Sequence, residues 1–274
     1  MQQFVMPQRY TRATQRNLRA TLILFFSLCT SLFFSCSDGS DKTKTLTDGP
    51  VYTLIFLDKT RSVNVNKAFV AQKYQQALTA IIDENIRQKG DKLDVYFIHE
   101  NTSKARALNL TVRSEMEDVS AASPTDREAA ETEFNLMLTR EKAQIRQRVL
   151  QQLVAQNTGK SNQETDIWAS LPVIAKANET GATVKVYYLS DMIESVKGPG
   201  RRDFQVKAPK DNAQADEWAK ADAEQLKRYT IGSPDITMIL PFEPNASIKE
   251  NNPAVTQYWQ TLFSTLGAGM LNEE

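Results

Sequence analysis

Cysteine and histidine are nearly missing from this chain of 274 residues, which has two of the first and one of the second. Both cysteines, Cys29 and Cys36, lie near the N-terminus, so everything after them can form neither a disulfide nor a thiolate metal site. With His99 as the single histidine, His/Cys zinc sites are excluded, and a Ser-His-Asp triad would depend on that one ring. No Gly-x-Ser-x-Gly elbow is present, and the expected role of His99 is a surface or sheet-edge residue. Any bound metal must therefore be a hard cation held by oxygen. Excess positive charge is missing too. The formal net charge is +0, and nothing in that balance asks for nucleic acid.

What is there begins with a signal. The first twenty residues hold Arg9, Arg12, Arg16 and Arg19 and no acid, and an almost unbroken apolar stretch from Thr21 to Phe34 leads into Ser35-Cys36. This is the layout of a secretory signal. Its apolar part, about fourteen residues, falls short of the roughly 20 that a spanning helix needs. Ser35-Cys36 resembles the lipobox of bacterial lipoproteins, in which a small residue precedes the cysteine that becomes the lipidated first residue of the mature chain. Phe33 stands where Leu is usual, with Leu32 adjacent, and Cys29 is the poorer candidate because Leu28 is too bulky for the cleavage position. The resemblance implies lipidation at Cys36 and an exported chain whose only membrane contact is its anchor. Ser37 is not the acidic residue that marks inner-membrane retention in enteric bacteria, so the outer membrane is the expected address. An ordinary cleaved signal and an uncleaved anchor are the alternatives. Removing residues 1–35 takes away four arginines and no acid, so 33 − 4 = 29 bases face 33 acids.

Residues 37–50 are small, polar and free of aromatics, the composition of a tether. Val51 to Leu57 is short and apolar and predicts a buried strand. Val70, Tyr74, Ala77, Ile81 and Ile82 recur every three or four residues and predict a helix over 66–89, stopped by Gly90. Residues 92–100 and 105–114 predict two more strands, and the short "NTSK" between them places the second antiparallel at a sheet edge. A polar loop then leads to a long charged helix over 127–156, with Asp126 as its cap and Phe134, Leu138, Ile145, Val149 and Leu153 as its stripe. So narrow a stripe predicts one packed face and a solvated remainder rather than a partner-binding coiled coil. A helix from Thr165, loosened by Pro172, a strand over 183–191, a basic loop, a helix over 213–229, a strand over 235–242 and a helix over 254–266 complete the order. Trp168, Trp218 and Trp259 fall on helices among apolar neighbours and are expected in the core. Strands alternating with helices predict an α/β fold: a doubly wound, mostly parallel sheet with helices on both faces and one antiparallel edge strand. Residues 51–274 would form this one domain, with the helix near 127–156 as an insertion.

In such a sheet the site lies beyond the carboxyl ends of the strands. Three segments meet that condition: Asp58-Lys59-Thr60-Arg61-Ser62 after the first strand, Thr165 before a later helix, and Leu189-Ser190-Asp191 at the tip of a central strand. Together they resemble the metal-ion-dependent adhesion site of von Willebrand factor A-like domains, whose pattern is Asp-x-Ser-x-Ser, then a Thr, then an Asp. Thr60 replaces the middle Ser and keeps its hydroxyl. The resemblance implies that Thr60, Ser62 and Thr165 ligate Mg²⁺, or another divalent cation such as Mn²⁺ or Ca²⁺, while Asp58 and Asp191 balance its charge. It also implies a non-catalytic role: an open coordination position takes an acidic side chain from a partner protein. Mg²⁺ suits this set, since it prefers octahedral oxygen, keeps several waters and tolerates few direct carboxylates. Lys59 and Arg61, with Arg201 and Arg202 from the loop after Asp191, would form a basic rim that steers such a partner. That loop lacks the interleaved aromatics of a nucleic-acid stacking surface.

One rival uses the same stretch. "LDKTRS" also resembles the opening motif of haloacid dehalogenase-like phosphohydrolases and P-type ATPases, in which the Asp is phosphorylated, with Ser190 as a second-motif hydroxyl. That family needs a further acidic pair after another strand, and "ILPFEPN" offers only Glu243. A metal-free scaffold whose long helix makes assembly contacts is the third reading.

Overall fold

The computed structural model describes residues 49–156 and 164–274. The expected signal segment, Cys36 and all but the end of the tether lie outside them. Strand β1, Val51–Asp58, is buried along nearly its whole length, as its run of valine, leucine, isoleucine and phenylalanine requires. Helix α1, Ala68–Asn85, follows and turns Val70, Tyr74, Leu78, Ile81 and Ile82 inward. Strands β2, Lys92–Ile98, and β3, Arg106–Thr111, come next, and β3 runs antiparallel to β2.

Helix α2 spans Pro124–Val154 and its 31 residues make it about 46 Å long. It begins earlier than its apolar stripe suggests, because Ser123, not Asp126, is the cap. The Ser123 hydroxyl accepts from the Asp126 N–H at 3.3 Å and donates to the Asp126 carboxylate at 2.8 Å, with Pro124 in the first turn where no N–H is missed. Thr165 does not open a helix. Trp168–Ser170 form a 3₁₀ turn and α3 spans Leu171–Asn178, so Pro172 sits in a first turn and kinks nothing. Strand β4 is Thr183–Leu189, α4 is Asn212–Leu226, β5 is Asp235–Ile239 and α5 is Pro253–Thr265. A short strand, β6, Leu271–Glu273, pairs parallel with β5. Among the described residues, no helix is long and apolar enough to cross a membrane.

The sheet order is β3-β2-β1-β4-β5-β6, with β3 the antiparallel edge. Alternation along β1 divides the core. Leu54 and Phe56 join Val186, Tyr188 and Met238 under α3, α4 and α5, while Ile55 and Leu57 join Phe97 and Leu189 under α1 and α2. Each fully buried side chain of this size contributes about 1.5–3 kcal/mol. β1 therefore continues into a helix on one face and its neighbour β4 into a helix on the other. The loops leaving them part company, and the crevice opens at the carboxyl ends of β1 and β4.

Candidate metal centre

Register brings the first and third site segments together. Leu57 pairs with Leu189, so the next residues along the two parallel strands, Asp58 and Ser190, emerge side by side. The Ser190 hydroxyl donates to Asp58 Oδ2 at 2.7 Å. Asp58 Oδ1 accepts from the Thr60 N–H at 2.9 Å and the Thr60 hydroxyl at 2.7 Å, which folds the loop after β1 back over the strand end. Thr60 Oγ1 lies 3.1 Å from Ser62 Oγ, and the Ser62 hydroxyl in turn bonds to the Asp191 carboxylate. A continuous chain of oxygens thus runs from Ser190 through Asp58, Thr60 and Ser62 to Asp191.

Backbone strain fixes the far end of that chain. Met192, directly after Asp191, has φ of 59°, a left-handed conformation that costs an ordinary side chain roughly 1–2 kcal/mol. Trp259 holds it there by donating its indole N–H to the Met192 carbonyl at 2.7 Å, and the Met192 side chain is fully buried. The turn lets the Ile193 N–H reach Asp191 Oδ1 at 3.0 Å.

Asp58 is fully buried and Asp191 nearly so at the foot of a groove, and no lysine or arginine among the described residues is paired with either. Burial raises the Asp58 carboxyl above its ordinary value, against the hydrogen bonds from Ser190 and Thr60. Burial, and then the neighbouring Asp58, push Asp191 up to about 7. A buried unpaired carboxylate is among the most costly groups a fold can hold. Two buried hydroxyls also lack a hydrogen-bond partner. The Thr165 hydroxyl is buried without a hydrogen-bond partner, although its backbone is tied to the loop after Asp191 by bonds to Ser195 of 2.8 and 3.0 Å. The hydroxyl of Tyr74, on α1, is also buried and unpartnered, and the charges of Asp58 and Asp191 both reach it.

The expected rim is built differently. Arg201 pairs with Glu194 and, at 2.6 Å, with Asp166, and lies over the Trp168 ring. Arg202 makes a two-pronged pair with Asp222 at 2.7 and 3.0 Å and covers Trp218. Lys59 donates to the Gln152 carbonyl of α2 at 3.1 Å and lies over Phe97. These three cations are engaged within the chain, and of the four only Arg61 is exposed. Two lysines that the sequence did not single out take the position instead. An open groove of about 470 Å³ starts at Ser62 and Asp191, has Val70, Phe204 and Phe242 in its walls, and is lined also by Lys67, Lys249 and Glu250, whose charge Lys67 feels. His99 is buried at the end of β2 rather than exposed, its Nδ1 accepting from the Asn101 N–H at 3.1 Å, and burial lowers its pKa. With Nδ1 accepting from a backbone N–H, the proton of the neutral ring is carried on Nε2.

Among the described residues no three acidic, histidine or cysteine side chains cluster as a cation cage. What the crevice offers is two carboxylates joined through the hydroxyls of Thr60 and Ser62, with Thr165 held by the loop after Asp191, a donor set that fits a hard divalent ion retaining some of its water. Such an ion would supply the missing positive charge and give the orphaned Thr165 oxygen a partner.

No family model and no curated protein matches the chain. Among solved structures it is similar to a von Willebrand factor type A protein from Catenulispora acidiphila, with 13% identity and a TM-score of 0.36 over 80% of this chain and 42% of that one. It is also similar to proximal thread matrix protein 1 from the mussel byssus, with 10% identity and a TM-score of 0.38 over 83% and 42%. The human COPII-coat protein Sec24c matches with 11% identity and a TM-score of 0.34 over 83% and 30%. The chain spans less than half the length of each. Likeness this low carries no argument about the site, and the doubly wound α/β fold rests on the strand order and helix layers.

Proposed function

We propose that this chain is an exported, lipid-anchored binding module that engages an acidic side chain of a partner protein through a divalent cation. Mg²⁺ is the first choice, with Mn²⁺ or Ca²⁺ as substitutes. In this reading Thr60, Ser62 and Thr165 hold the ion, Asp58 and Asp191 balance it, and Cys36 carries the lipid. The observation that supports it is the pair of buried carboxylates, Asp58 and Asp191, linked through the hydroxyls of Thr60 and Ser62 with no lysine or arginine paired to them. The groove leading away from Ser62 and Asp191 is the partner's seat, where Lys249 and Lys67, the latter partly offset by Glu250, meet an acidic segment and the apolar walls take its neighbouring side chain.

The phosphotransfer alternative needs Asp58 free to attack a phosphorus atom. Asp58 is fully buried and both of its oxygens already accept hydrogen bonds, so the metal-binding reading is preferred.

Titration of the full chain with Mn²⁺, followed by loss of the free-ion electron paramagnetic resonance signal, tests the proposal. One saturable site that Mg²⁺ competes away and that Asp58→Asn weakens at least tenfold is expected. Absence of a saturable site, or equal binding in the variant, would overturn it.

A further inference from the structure

The fold uses only one side of α2. Ile145, Val149 and Leu153 pack with α1 in the core, and Lys142 and Arg146 tie the same side to Asp83, through its carbonyl at 2.9 Å and its carboxylate at 2.5 Å. The opposite side is exposed, and it has an order of its own. Ala129, Glu133, Leu136, Met137, Arg140 and Ala143 recur at helical spacing, and all six are exposed. Leu136 and Met137, adjacent on that side, are 54% and 38% exposed.

Charge along the helix changes sign about this apolar pair. Residues 126–133 hold four acids and one base, residues 140–148 hold four bases and one acid, and the six between them carry no charge. The helix macrodipole favours acids in a first turn and bases in a last one, but Glu133 and Arg140 lie more than two turns from either end, where that effect has faded. Neither is ion-paired among the described residues. They are also about 10.5 Å apart along the axis, too far to satisfy each other.

We propose that this face is a dimer interface, in which α2 of a second copy lies antiparallel across it on a two-fold axis passing between Leu136 and Met137. Glu133 lies three residues before Leu136 and Arg140 three after Met137, so each stands opposite the other in the second copy. One symmetric contact thus forms two ion pairs. Between them Leu136 and Met137 of the two copies close over each other, and the small side chains of Ala129 and Ala143 let the axes approach to the roughly 8–10 Å of packed helices. A parallel pair would set Glu133 against Glu133 and Arg140 against Arg140, and like charges so placed repel. The acid-rich and base-rich halves of α2 extend the antiparallel match along the helix. The face is complementary to itself, and that makes a second copy of this chain its occupant. Nothing in the arrangement depends on the cation site.

Sedimentation velocity of the full chain in a non-ionic detergent, from low micromolar to about 200 µM, tests the proposal. A reversible monomer–dimer equilibrium that salt weakens is expected. Glu133→Arg and Arg140→Glu are each expected to weaken it about tenfold or more, since each sets like charges opposite one another twice, and the two together to bring it back within about threefold of the unmodified chain. Circular dichroism checks that every variant keeps its helix. Association through the N-terminal apolar stretch ignores these charges, so a dimer equally strong in both single variants overturns the proposal. A double variant no stronger than the single ones does the same. So does a chain that stays monomeric at the highest concentration, which would leave the face to an unlike protein.

Discussion

Two groups of buried acids follow β4, and they are treated in opposite ways. Asp191, with Asp58 from β1, has hydroxyls and backbone N–H groups around it but no positive charge. Glu194, three residues on, accepts from the Ile167 N–H at 2.8 Å and from Arg201, which also takes Asp166. Burial pushes the Glu194 carboxyl up to about 8, with the Arg201 guanidinium and the hydrogen bonds from Arg201 and the Ile167 N–H pulling the other way. Asp222 is met in the same manner by Arg202 and by the hydroxyl of Tyr258. The chain therefore supplies its own cation wherever a buried acid has only to clamp the loop and α4 in place. At the crevice it supplies none. Internal arginines pair the acids of the clamp and none pairs those of the crevice, and that contrast is what the proposed ion site rests on.

The largest effect is expected where the internal cation is taken away. Arg201→Ala leaves Glu194 and Asp166 uncompensated and should cost about 3–5 kcal/mol by urea denaturation. A loss below about 1 kcal/mol would erase the distinction between the two groups. Next in size is the effect of adding the external cation. Mg²⁺ at about 100 times its dissociation constant should raise stability by about 2.7 kcal/mol, and Asp191→Asn should abolish that gain without lowering stability in EDTA. A variant that is as unstable as Arg201→Ala in EDTA would show that Asp191 is an ordinary structural acid.

The third effect is on pH. The folded Asp191 carboxyl, at about 7, lies above its ordinary value, so the folded chain keeps a proton that the unfolded chain releases. That stabilisation is complete below the unfolded value near 4 and is lost as pH rises through about 7. In EDTA the slope is therefore negative, at most about 1.4 kcal/mol per pH unit for one proton, and Mg²⁺ should flatten it. Denaturation midpoints at pH 5, 6 and 8 check the sign, and a rising slope would contradict it. The smallest effect is expected at the second clamp. Arg202→Lys keeps the charge but not the two-pronged geometry, and should cost about 1 kcal/mol with no change in ion affinity.

Much of this was legible in the sequence where a pattern is local. The apolar run from Val51 broken sharply at Asp58, the alternation of oxygen-bearing residues to Ser62, and Ser190-Asp191 at a strand tip all place their residues at the crevice without knowledge of any contact. Features that depend on distant partners were not legible. Arg201 and Arg202 read as a free basic rim because their acids, Asp166 and Asp222, are 35 and 20 residues away. Tyr74 read only as one apolar position on a helix, since its orphaned hydroxyl exists only once β1 and β4 lie beneath it. Ser190 gained its contact with Asp58 from strand register. The three residues of β6 are too few to show any period, and the start of α3 was masked by a 3₁₀ turn. The Lys67 and Lys249 flanks of the groove come from segments that meet only in the fold.

The central claim, that the crevice lacks a cation and takes one from outside, predicts a proton count. Calorimetric titration of the full chain with Mg²⁺ at pH 6.5, in two buffers of different ionisation enthalpy, measures the protons released for each ion bound. One ion should bind, and it should displace a measurable fraction of one proton from the Asp58–Asp191 pair, a fraction that falls towards zero at pH 8.5. Binding with no proton released at pH 6.5, or no binding at either pH, would contradict the account.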